Sequence, residues 1–172
     1  MRPGPRSRSL VFGEDVARVS FDIFFQPCRF AATAARAEDP DRTPIEGPDN
    51  EPLTPVEEEA VRSLLTRACR GGPDGHGCWL VEVGDGGSAE VFGQDLGKSC
   101  MFAVRGMTPD LVRLMFDILV AGNWVMLPAH EGSGAIAASM DAVRVVPEGF
   151  PDVVVCESAD ALGALLTGGV EA

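Results

Sequence analysis

Basic residues are scarce in this sequence. Its 172 residues hold 14 Lys and Arg against 26 Asp and Glu, a formal net charge of −12. Three of those bases, Arg2, Arg6 and Arg8, fall in the first ten residues, so eleven bases face 26 acids from residue 11 onward. A body this acidic repels phosphate backbones, and direct nucleic-acid binding is not expected. The same field attracts a basic protein and speeds encounter with it, although acidity also serves solubility alone. Tyrosine is absent and tryptophan occurs twice. The longest apolar runs fall far short of the roughly 20 residues that cross a bilayer. No apolar stretch of signal-peptide length precedes Glu14 and Asp15, so a secretory signal is not expected. Five cysteines (Cys28, Cys69, Cys78, Cys100, Cys156) are an odd number without a C-x-x-C pair. A reduced, cytoplasmic protein is the natural expectation.

The motifs of common chemistries are missing as well. A cysteine hydrolase needs an imidazole beside its thiol, and only His76 and His130 are on offer. Either one approaching Cys28, Cys78 or Cys100 would leave an enzyme reading open. Cys78 and Cys156 fall in apolar strand patterns, where cysteine serves as a small hydrophobe, and Cys69 falls in a helix's last turn, which disfavours a thiolate. His76-Gly77-Cys78 is half of a zinc pattern without a second pair. Ser133 follows His130 in a His-Glu-Gly-Ser-Gly loop, but triad groups converge from distant segments. The glycines at 84–87 precede neither a lysine nor a helix, so they are no phosphate loop. No cofactor or metal is expected.

What the sequence does contain is a set of well-punctuated elements. The length suits one domain of residues 11–172 behind a flexible tail at 1–10. Alternating Val19, Phe21, Ile23 and Phe25 predict a strand within 16–25, with Phe24 on its other face. Residues 36–52 hold four prolines, six acids and one isoleucine, a solvated loop that builds no core. Thr54-Pro55-Val56-Glu57 opens a helix with a capping box. Its apolar stripe is Val56, Ala60, Val61, Leu64, Leu65 and Ala68, and Gly71-Gly72 stop it. Strands at 78–83 and 88–92 flank a glycine-rich turn, and another follows at 101–105. Thr108-Pro109 caps a second, more apolar helix that ends at Gly122-Asn123. Short strands are predicted at 124–127, 143–146 and 153–156, and Ser158 caps a last short helix at 159–166. Residues 129–142 are ambiguous. The order β-α-β-β-β-α-β-β-β-α predicts an α+β fold. Its antiparallel or mixed sheet has six to seven short strands, with two main helices and a short C-terminal one mainly on one face.

One cluster stands out. Asp74, His76, Glu82, Asp85, Glu90 and Asp95 lie in or beside a single hairpin. They predict either a solvated acidic ridge or a patch for a basic partner. Trp79 and Phe92 are candidate apolar anchors in such a patch and also candidate core residues.

The chain holds Asp-Gly-Gly-Ser-x-Glu at 85–90, Met-Phe-x-Val-Arg-Gly-x-Thr-Pro at 101–109 and Phe-Asp-x-x-x-Ala-Gly-Asn at 116–123. Together with the opening Val-Ser-Phe-Asp-Ile-Phe-Phe-Gln at 19–26, the chain over 19–127 resembles the small acidic immunity proteins of bacterial polymorphic toxin systems. That resemblance implies a cytoplasmic, non-enzymatic protein that plugs or covers the active site of a cognate toxin domain. It carries over no catalytic residue. The residues alone leave two alternatives: an adaptor with a non-toxin partner, or a small enzyme using a Cys or His.

Overall fold

The structure, a computed structural model, describes residues 21–27, 51–129, 134–140, 142 and 153–167. The tail at 1–10, nearly all of the 36–52 loop, the strand predicted at 143–146, Cys28 and His130 lie outside the described residues.

Each helix forms where a hydroxyl, a proline or both mark its start. Helix α1 (Pro55–Ala68) begins at Thr54 with the full capping box. Thr54 Oγ1 accepts from the Glu57 N–H at 3.3 Å, and the Glu57 carboxylate accepts from the Thr54 N–H at 2.9 Å. Two otherwise unpaired helix donors are thereby satisfied. Val61 and Leu65 of its stripe are buried, whereas Val56 is exposed. In the first turn Val56 points away from the sheet, so the stripe is one turn shorter than its spacing predicts. The helix also stops before Cys69, which is extended and bridges antiparallel to Val81.

Helix α2 (Pro109–Ala121) is capped by Thr108, whose Oγ1 accepts from the Leu111 N–H at 3.3 Å. Its end is a Schellman closure: Trp124 N–H donates to Leu119 O and Asn123 N–H to Val120 O. Asn123 takes the left-handed position, at φ 45°. Gly122 is required for a different reason, because a Cβ there would lie 2.9 Å from the Trp124 ring. Helix α3 (Ala159–Leu166) starts at Ser158, as the sequence predicts.

Seven strands make one sheet: β1 (Phe21–Gln26), β2 (Cys78–Val83), β3 (Gly87–Phe92), β4 (Cys100–Gly106), β5 (Val125–Pro128), β6 (Ala135–Ala137) and β7 (Val153–Val155). Their order across the sheet is β2-β3-β4-β1-β5-β6-β7. All neighbours are antiparallel except β6 and β7, so the sheet is mixed. Strand β6 arises from the ambiguous 129–142 segment. Its three small residues are too short a run to carry a period-2 signal.

The three helices share one apolar core with one face of this sheet. Ile23, Phe25, Trp79, Val81, Ala89, Val91, Phe102, Val104 and Met126 meet Val61 and Leu65 of α1, the buried face of α2, and Leu162 of α3. At its centre the Phe25 ring stands 5.0 Å from Phe102 and 5.9 Å from Trp124. Burying side chains of this size supplies the main drive for folding. No polar or charged residue among those described is buried.

Candidate interaction site

Strand alternation sends every second residue of β1–β4 to the face away from the helices. Register then lines them up. Cys78 pairs with Phe92, Phe92 with Met101, Met101 with Phe24, and Phe24 with Leu127. One continuous apolar row thus crosses five strands. The next row runs Leu80, Glu90, Ala103 and Asp22. Beyond it Glu82 stands opposite Ser88. Leu80 is 55% exposed, and Phe92 and Phe24 are each 43% exposed. Such values are large for apolar side chains that sit together on one surface. Toward β5 and β6 the same face closes: Val125, Ala135 and Ala137 are fully buried in a second, smaller apolar cluster with Ala142.

The hairpin spreads the six predicted site residues along its length. Glu82 and Glu90 stand on the open face, and each reaches a base: Arg70 Nε lies 3.3 Å from Glu82, and Arg105 Nη2 3.2 Å from Glu90. His76 and Asp95 line a shallow hollow at the opposite end, together with Phe92, Gln94, Lys98 and Ser99. Lys98 Nζ is 3.2 Å from the Asp95 carboxylate. All three ion pairs are solvent-exposed, and exposed pairs contribute about 0–1 kcal/mol. Asp74 holds the turn before β2. Its carboxylate accepts from the His76 N–H at 2.8 Å and the Cys78 N–H at 2.9 Å. Those two bonds, first Cys78's and then His76's, hold its pKa below the usual carboxylate value. Asp85 sits at the hairpin tip, between Gly84 and Gly86. A six-residue strand is about 20 Å long, so the tip and the hollow belong to opposite ends of the face.

The hairpin tip explains the residue pattern at 85–90 and 101–109. Gly84 has φ +53° and lies against the Asp110 carboxylate at the start of α2. A Cβ on Gly87 would strike Thr108 Oγ1, and one on Gly106 would strike the Gly86 carbonyl oxygen. The two glycine-bearing stretches are therefore packed on each other, which is a structural role and not a chemical one.

The thiols that the structure describes are not poised as nucleophiles. Cys69, Cys100 and Cys156 are buried, and Cys69 and Cys156 donate to the carbonyl oxygens of Gly72 and Ser158. Burial pushes the Cys100 thiol far up. Cys78 is raised by desolvation first, then by the Asp74 and Glu90 charges. Among the described residues no group of three His, Cys, Asp or Glu side chains is placed to hold a metal, and no helix is long and apolar enough to cross a membrane.

Of the two candidate anchors, Trp79 is core, at 2% exposure, and Phe92 is on the open face. Sequence reasoning passed over Leu80 and gave Phe24 no role beyond its face. Their signal was present in the same alternation that placed Glu82 and Glu90 outward.

Comparison with protein-family models, with curated proteins and with solved structures finds no match to this chain.

Proposed function

We propose that this chain is an immunity protein, which binds a cognate bacterial toxin domain and occludes its active site. The observation that supports the reading is the open sheet face. Carboxylates and large apolar side chains share its solvent side, while a complete core lies behind it. A surface of that composition suits protein recognition, in which a few desolvated anchors supply most of the energy and a charged rim steers encounter. Neutralisation is then steric and electrostatic. The acidic chain is drawn to a basic cleft, such as that of a nuclease or a nucleic-acid deaminase, and fills the space its substrate needs. No bond is made or broken.

The deciding experiment is co-expression with each toxin domain encoded beside the gene. Protection of the cell from one of them is the expected result. Failure to protect against any would overturn the toxin reading and leave that of an adaptor with another partner.

A further inference from the structure

Resting on the binding role proposed above, we infer that the partner docks on the open face of β2-β3-β4-β1, and that it presents basic side chains around an apolar centre. Leu80, Phe92 and Phe24 are the anchors on this side.

Three observations converge on that surface. First, the apolar row from Cys78 to Leu127 is continuous over five strands. Strand spacing makes it about 19 Å across, and strand length gives the face about 20 Å in the other direction. Over the four strands β2-β3-β4-β1, about 14 Å across, the projected footprint is roughly 300 Å², over a third of the roughly 800 Å² per partner that a stable complex buries. The hollow at Phe92, with His76, Gln94 and Ser99, extends it at one end. Second, the small Ala103 in mid-face is only 5% exposed. Leu80, Phe24 and Phe92, at 43–55% exposure, therefore carry the apolar contact that this face offers. Third, the acids on or beside this face are Asp22, Glu82 and Glu90. Arg70 and Arg105 reach the two glutamates through exposed pairs, which a partner's arginine can replace at little loss.

Charge decides between a foreign partner and a second copy. Two copies would bring −12 against −12, and repulsion between like net charges opposes that association. A basic surface gains from the same groups.

The test uses the full chain, tagged, to capture its partner from native cell extract. The captured protein is identified, purified and titrated against variants at low and high salt. The double variant Leu80→Thr/Phe92→Thr should weaken binding about tenfold or more. Val56→Thr and Val120→Thr, changes at exposed apolar residues on the helix side, should bind as the unaltered chain does. Glu82→Gln/Glu90→Gln should slow association at low salt and lose that effect at high salt. Unchanged circular dichroism and denaturation midpoints establish that each variant is folded. Loss of binding in the helix-side variants alone would overturn the docking face and leave the binding role intact. So would a captured partner with an acidic surface. If the chain alone sediments as a dimer that Leu80→Thr/Phe92→Thr dissociates, a second copy occupies the face and the proposal fails. Absence of any captured partner at either salt fails the binding role, and this inference with it.

Discussion

Along β2 and β3, neighbouring residues live in opposite surroundings. Trp79, Val81, Ala89 and Val91 point toward α1 and α2 and are buried, whereas Leu80, Glu82, Glu90 and Phe92 point away and meet solvent. The hydrogen-bonded backbone between them is shared, so the difference comes entirely from what covers each face. On the covered side an apolar side chain contributes stability. On the open side it contributes little to folding and remains available to a partner. The contrast teaches that exposure after folding, and not apolar character, marks the candidate anchors.

A covered-side substitution should have the largest effect. Phe102→Ala removes a fully buried ring beside Phe25 and is expected to cost about 3–5 kcal/mol, read from urea unfolding. A loss below about 1 kcal/mol would mean that this side is not the tightly packed core. Next comes the hairpin tip. Gly106→Ala forces a methyl group into the Gly86 carbonyl oxygen, and overpacking of this kind costs about 1–3 kcal/mol. A thermal melt as stable as that of the unaltered chain would show that the tip does not pack on the end of β4.

Leu80→Thr sharpens the contrast from the open side. Threonine keeps the strand preference, and the side chain has no core to leave. Its stability should stay within about 0.5 kcal/mol of the unaltered chain, while partner affinity falls. A stability loss like that of Phe102→Ala would show that Leu80 is covered after all.

The smallest effect is in acid. Asp74's pKa lies below the ordinary 3.8 because two backbone N–H groups favour its charged form. Its contribution is therefore complete above the unfolded carboxylate value of about 3.9 and is lost as pH falls through the lower folded value. Carboxyl titration by NMR should show Asp74 still charged after an ordinary aspartate has protonated, with the His76 and Cys78 amides shifting only when it protonates. Amides that shift at the ordinary carboxylate pH would break this account.

Local physics made much of the architecture legible. Thr54, Thr108 and Ser158 mark three helix starts, because hydroxyl capping involves only residues within one turn. The β2–β3 hairpin, with Glu82 and Glu90 outward, follows from alternation and a glycine turn. Strand β6 was not legible, since three small residues gain strand geometry only from β5 and β7 beside them. Val56 was misplaced for a related reason: periodicity places a residue on a stripe but does not say where the sheet beneath that stripe ends.

Sequence alone determined the acidity, the helix caps, the hairpin and the two faces of β1, β2 and β3, all of which depend on composition or on neighbours a few residues apart. Tertiary structure alone decided the rest. Pairing of β1 between β4 and β5 aligned Phe24 with Met101 and Leu127 into one row. Helices α1, α2 and α3 pack on the opposite side, and Phe24 and Phe92 of that row stay exposed. Placing Arg70 and Arg105 beside Glu82 and Glu90 gave the acidic hairpin its exposed ion pairs. The physical reason is that register and layering join residues far apart in the chain, and no local preference encodes which distant strand becomes a neighbour.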